Sequence, residues 1–162
     1  MEIYITSGKG YGRTLLSAFD DALKDVGLNN FNLLYISSII PKGSVVKLGK
    51  YQPKRSNYGD RLYVVKAEIR SRESGKFIGA ALGWYQFVDG RGVFVEHTQI
   101  GETEEAVHLN LDLEVRKSLG DLCRNRNFPH CEEKMRTKMV LAKVEDSPTC
   151  VLVAAVYKVE KW

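Results

Sequence analysis

Apolar positions along the first part of the chain switch between two periods. From residue 14 to 26 they recur at helical spacing: Leu15, Leu16, Phe19, Ala22, Leu23 and Val26 share a face, and Gly27 supplies a C-terminal stop. A helix is therefore expected from about Thr14 to Val26. The flanking segments, Glu2–Thr6 and Phe31–Ile36, read as strands. Runs rich in β-branched and aromatic residues, bounded by Gly, Pro, Asp or Ser, predict further strands at Leu62–Arg70, Phe77–Phe87, Val93–Thr98, Thr137–Val144 and Cys150–Tyr157. Val107, Leu111, Val115 and Leu119 align on a second helix running from Thr103 to Leu119, before Gly120, and a short third helix is expected at Pro129–Lys138. Alternating strand and helix giving way to strands points to an α+β sandwich. No repeat or low-complexity linker divides the chain, so residues 1–162 are read as a single domain, with Pro41–Arg61 as its nearest approach to a loop.

Composition agrees with that reading. A chain of 162 residues with 44% hydrophobic content is long and apolar enough to bury a core. No apolar run approaches the roughly 18 residues of a membrane helix, and the longest, Ile78–Val88, is strand-like and holds Gln86, so no membrane partner is expected. Cys123, Cys131 and Cys150 form an odd set, and the chain opens on a strand-like EIYIT; reduced thiols in the cytoplasm are the expectation. Lys42, Lys47, Lys50, Lys54, Arg55 and Arg61 surround only Asp60, with Tyr51 and Tyr58 interleaved. Such a patch suits phosphate or single-stranded nucleic acid, but a net charge of +4 is modest and a solvated loop is the preferred reading, with no nucleic-acid partner. Gly8-Lys9-Gly10-Tyr11-Gly12 lacks the spacing of a phosphate-binding loop and reads as a flexible turn. Cys123, His130 and Cys131 match no zinc spacing and are taken as unligated. His97 and His108 have no nucleophile motif around them, and His108 falls on a helix surface.

One stretch resists an ordinary structural explanation. In NFNLLYISSIIPKGSVV, Asn30 to Val46, the pair Ser37-Ser38 interrupts an apolar run, and a buried hydroxyl without a partner costs roughly 1–3 kcal/mol. A serine at a tight turn after a strand can attack the preceding carbonyl through Oγ, convert the peptide to an ester and eliminate, leaving an N-terminal pyruvoyl group. Asn32, six residues before Ser38, places a polar side chain near this strand; from the residues alone, satisfying a backbone group in the turn explains it equally well. Helical geometry puts Asp20 at the border of the first helix's apolar face, beyond Leu16, with Asp21 farther toward solvent, and on periodicity alone Asp20 reads as a solvated helix carboxylate. Glu96, at a strand end beside Phe94 and Val95, reads either as a carboxyl that desolvation would keep protonated, with Glu102 as its competitor, or as a surface strand residue.

At these residues the chain resembles the pyruvoyl-dependent arginine decarboxylases. LLSAFDDALKDVGLNNFNLLYISSIIPKG, Leu15 to Gly43, is similar to that family's helix, turn, strand and cleavage site in order, and the similarity continues through KFIGAALGWYQF, GVFVEHTQIG and CVLVAAVYKVEKW. The resemblance implies an αββα-type sandwich of mixed and antiparallel sheets flanked by helices. It implies self-cleavage between Ser37 and Ser38 into residues 1–37 and 38–162, and a covalent pyruvoyl cofactor derived from Ser38, with neither metal nor pyridoxal phosphate. L-Arginine would be converted to agmatine and carbon dioxide through a Schiff base with that group. It assigns processing to Asn32, guanidinium binding to Asp20 with Leu16 beside it, and proton donation to Glu96, in a trimer of cleaved protomers whose sites lie between subunits. The His97-Thr98-Gln99 that follows Glu96 makes a longer connection than the family pattern, which leaves Glu102 open as the donor. The other readings are a decarboxylase of another amino acid and a noncatalytic binding protein on the same fold.

Overall fold

The computed structural model describes residues 1–129 and 131–162, the side chain at position 55 excepted. Among the described residues the elements run β1 (Glu2–Tyr11), α1 (Leu15–Asp25), β2 (Asn32–Tyr35), β3 (Ile39–Ile40), β4 (Val45–Leu48), β5 (Arg61–Ser71), β6 (Phe77–Gln86), β7 (Gly92–Gly101), α2 (Glu104–Asn125), α3 (Cys131–Lys134), β8 (Arg136–Lys143) and β9 (Thr149–Glu160). One sheet has the order β2-β5-β9-β1-β4 and the other β3-β7-β6-β8. The pairs β1–β4 and β2–β5 are parallel; the remaining ladders are antiparallel.

Side-chain alternation explains the layering. Ile3, Ile5, Leu82, Phe94, Val151 and Val153 meet between the sheets, while Leu62, Val64, Leu152 and Ala154 face α1 and Val93 and Val95 face α2. Helix on sheet, sheet on sheet and sheet on helix is the αββα sandwich expected, with its core split into three apolar layers.

Helix α1 begins with a reciprocal cap: the Thr14 hydroxyl accepts the Ser17 N–H, and the Ser17 hydroxyl accepts the Thr14 N–H at 2.9 Å. It stops at Gly27, whose φ of 78° suits a residue without Cβ. The glycine run before it is not a flexible turn. Gly8 and Gly10 lie inside β1, and a Cβ on Gly10 would collide with the Ala22 nitrogen and the Ala18 carbonyl oxygen. The helix therefore seats its small Ala18 and Ala22 on the strand, and the large Leu16 turns outward, 70% exposed. Periodicity had placed Leu16 on the buried face because it weighs large side chains and cannot see the strand glycines below.

Other boundaries also moved. The segment read as a loop contains β4, which pairs parallel with β1 from Glu2↔Val45 to Ile5↔Leu48. Helix α2 passes through Gly120 to Asn125, since the line of Val107 to Leu119 extends to buried Cys123. The third helix is confined to Cys131–Lys134, because by Arg136 the chain has joined the edge of the second sheet.

The seat of α1 yields a stability prediction. Gly10→Ala forces the helix off the strand and should lower unfolding free energy by about 3 kcal/mol, measured by chemical denaturation; a change within about 0.5 kcal/mol would show that helix and strand separate freely.

Candidate active site

The serine pair lies where the chain leaves one sheet for the other. The Ile36 N–H makes a bond to the first sheet, donating to the Val64 carbonyl at 3.1 Å, and two residues later the Ser38 carbonyl accepts the Phe94 N–H of the second sheet at 2.7 Å. Between those anchors the Ser37 carbonyl accepts the Ile39 N–H at 2.8 Å, closing a three-residue turn. Beyond it β3 adds only two residues to the sheet, Ile39↔Val93 and Ile40↔Gly92. Ser37 is exposed and Ser38 half-buried.

Alternation along β7 places Phe94 and Glu96 on the same face. The Ser38 hydroxyl donates to the Glu96 carboxylate in a short hydrogen bond across 58 residues of sequence. Glu102 is held elsewhere, paired with Lys76. The desolvation expected for Glu96 is not supplied by this chain: the residue is exposed, because β3 is too short to cover β7 beyond Val93.

The remaining candidates stand apart from this pair. Asn32 opens β2, and its Nδ2 donates to the Gly59 carbonyl at 2.6 Å, satisfying a backbone acceptor at the far end of the strand from the serines. Asp20 is exposed on α1, as is Leu16 one turn before it, and the expected order of the two carboxylates is reversed: Asp21 is half-buried because it accepts the Tyr11 N–H at 3.0 Å. Phe19, beside Asp20, is anchored by the Arg70 guanidinium 3.9 Å from its ring centroid, and Arg70 in turn holds Glu68 through two hydrogen bonds of 2.8 and 2.9 Å. Lys66 stands over both Phe19 and Tyr35, and burial pushes its ammonium pKa down.

A residue that sequence reasoning passed over adjoins the centre. Tyr157, near the end of β9, donates its hydroxyl to the Ile39 carbonyl at 3.0 Å. Burial, followed by the negative charge of Glu96, pushes its phenol pKa well up. The signal was present in CVLVAAVYKVEKW, where Tyr157 adds a hydroxyl to a face that carries Val151, Val153 and Ala155.

The other sequence features fall outside this centre. Cys123 and Cys131 are joined in a disulfide, a correction to the reduced pair expected; the chain doubles back after α2 and brings their Cα atoms to 6.3 Å. Cys150 is free and buried, its thiol pushed up to about 12 by burial. His130 and the Arg55 side chain lie outside the described residues. His97 shares a hydrogen bond of 2.9 Å with Ser118, and His108 is exposed on α2. In the basic segment Lys47 pairs with Glu2, Lys50 with Asp25, and Tyr51 packs on Tyr4 and Phe31. No helix among the described residues is long and apolar enough to cross a membrane.

Fold and site together define a four-layer αββα protein with a serine–carboxylate centre at the crossing between its two sheets. The family model for pyruvoyl-dependent arginine decarboxylase (PvlArgDC) matches residues 2–161, and the chain belongs to that family. Proteins named pyruvoyl-dependent arginine decarboxylase are similar to it. The one from Thermoplasma volcanium is 38% identical over 106 residues, covering 64% of this chain and 58% of its own length. The one from Methanocella arvoryzae is 30% identical over 165 residues, covering 96% of this chain and 94% of its own. The Halobacterium salinarum protein is 28% identical and covers 94% and 92%.

Proposed function

We propose that the chain cleaves itself between Ser37 and Ser38 into residues 1–37 and 38–162, and that the processed protein converts L-arginine to agmatine and carbon dioxide. The observation that carries this reading is the hydrogen bond from the Ser38 hydroxyl to Glu96 at the inter-sheet turn. Family membership supports it.

The residues present fit a pyruvoyl group derived from Ser38, because the carbonyls of both serines and the Ser38 hydroxyl each have a partner. The Ser37 carbonyl is polarised by the Ile39 N–H, the Ser38 carbonyl is held by the Phe94 N–H, and the Ser38 hydroxyl faces a carboxylate acceptor. In the proposed processing, Ser38 Oγ bonds to the Ser37 carbonyl carbon, the peptide C–N bond breaks, and the hydroxyl proton ends on the Ser38 nitrogen. Loss of the Ser38 Cα proton then breaks the Cβ–Oγ bond and frees the Ser37 carboxyl. Water hydrolyses the remaining enamine, releasing ammonia.

A pyruvoyl group at residue 38 supplies a ketone that captures the substrate amine and a conjugated amide carbonyl that takes up electrons as carbon dioxide leaves. The chain's own residues do the rest. Phe94 N–H, already on the residue-38 carbonyl oxygen, stabilises negative charge at that atom. Glu96, within reach of residue 38, delivers a proton to the substrate α-carbon. Asp20 opposes the guanidinium, whose planar fork suits a carboxylate.

The exposure of Asp20 and Glu96 supports a site completed by a second copy of the chain. Leu16, Tyr35 and Ile39 are 70%, 62% and 45% exposed, an apolar surface for that contact. We propose a trimer, with Asp20 and residue 38 of each site on different subunits. The same reading makes this a cytoplasmic enzyme of polyamine biosynthesis.

Intact mass of natively purified protein should show the 18.3 kDa chain divided into fragments of roughly 4 and 14 kDa, scaled by residue share. Ser38→Ala should remain one inactive chain; an uncut wild-type protein that still decarboxylated arginine would refute the mechanism. Glu96→Gln keeps an acceptor for the Ser38 hydroxyl, so cleavage should proceed, while turnover of the processed protein falls about 10²–10⁴-fold. Unchanged turnover removes Glu96 from the reaction. Asp20→Asn should raise KM for arginine by the equivalent of about 2–4 kcal/mol. Co-assembled with Ser38→Ala, it should recover activity at low arginine that neither variant has alone, and no recovery would overturn the shared site.

A further inference from the structure

Cleavage between Ser37 and Ser38, on which the following inference rests, requires the scissile carbonyl and the attacking hydroxyl to keep a fixed relation. The turn has little ladder support to do this. Ser37 is exposed, and β3 contributes only two paired residues. Two backbone donors hold the flanking carbonyls, Ile39 N–H on Ser37 at 2.8 Å and Phe94 N–H on Ser38 at 2.7 Å.

Tyr157 touches both residues that supply those donors. Its hydroxyl donates to the Ile39 carbonyl at 3.0 Å, and its ring meets the Phe94 ring edge-on, with centroids 6.2 Å apart and planes at 68°. The side chain is 9% exposed and rises from the irregularity in β9 where the β5 ladder passes from Val156 to Lys158, next to the last residue paired with β1, so it stands buried behind a short, exposed turn. Burial and the charge of Glu96 favour the protonated phenol, which keeps it a donor. Phenylalanine would fill the same space without bonding Ile39.

We propose that Tyr157 is a positioning residue for self-cleavage, holding through Ile39 and Phe94 the two amide donors on the carbonyls of Ser37 and Ser38. The step it serves is the acyl shift. The bond between Ser38 Oγ and the Ser37 carbonyl carbon forms, the Ser37–Ser38 peptide bond breaks, and the hydroxyl proton passes to the Ser38 nitrogen.

The test follows freshly translated full-length chains by intact mass as they divide. Tyr157→Phe should divide roughly tenfold more slowly than wild type, the size expected for one hydrogen bond, and hydroxylamine added early should trap less of the Ser37–Ser38 ester. Tyr63→Phe is the control, since it removes another phenol bond of the same sheet, to Glu160 at 2.6 Å and not to the turn; it should divide at the wild-type rate. Placing 4-aminophenylalanine at 157, which retains a donor, should restore most of the rate even if Tyr157→Phe is poorly folded. Equal rates for wild type and Tyr157→Phe, equal slowing by Tyr63→Phe, or no restoration by the amino analogue would each overturn the role of Tyr157. A wild-type chain that never divides would overturn the self-cleavage reading and the role together.

Discussion

The rest of the molecule is arranged around the ladder of β9. This strand pairs antiparallel with β1 on one side and β5 on the other, and Thr149 to Tyr157 are buried without interruption. A strand buried on both faces needs an apolar cover on each. Helix α1 supplies one and the second sheet the other, so the layer order follows from how β9 is solvated. From Thr149 to Val156 its backbone is flanked by a ladder on both edges, which allows small residues such as Ala154 and Ala155 at its middle. Where the apolar series ends, Tyr157 reaches the opposite sheet and meets the turn that carries the serine pair.

The centre depends on a change of sheet more than on any one residue. A strand that continued past Tyr35 would leave Ser37 and Ser38 beside β5, far from β7. Instead the chain turns after Ile36 and pairs with Val93, and that transfer brings the Ser38 hydroxyl to a carboxylate on the inter-sheet face. A tight turn at such a crossing also leaves one serine carbonyl bonded within the turn and the next bonded across to β7. These are different electrostatic surroundings for two adjacent peptide groups, Ser37–Ser38 and Ser38–Ile39.

Both helices are held by absences of side chain as much as by apolar contact. Gly8 and Gly10 admit α1 to β1, and Gly79 and Gly83 do the same on β6, where a Cβ would meet Leu111, Val107 or Val115 of α2. Close approach increases dispersion contact and fixes helix rotation. For α1 that rotation turns Leu16 and Asp20 to the surface, which gives the proposed contact with a second copy its physical basis.

What the sequence determined by itself was local and periodic. Seven strands, the two long helices, both helix starts and the stop of α1 were legible because each depends on neighbours within a few residues, whereas α2 ran past the Gly120 read as its stop. The serine pair was legible too, since polar groups in an apolar run mark themselves. The β3 and β4 pairings, the inward-facing glycines, the Cys123–Cys131 bond and the approach of Tyr157 to Ile39 were decided only by tertiary structure. Each joins segments whose meeting depends on how sheets stack and helices rotate, and no local pattern encodes that geometry. Glu96 belongs to both: its strand was readable, but its choice over Glu102 as the partner of Ser38 came from its position along β7, two residues past the Phe94 N–H that holds the Ser38 carbonyl, whereas Glu102 lies beyond the strand and pairs with Lys76.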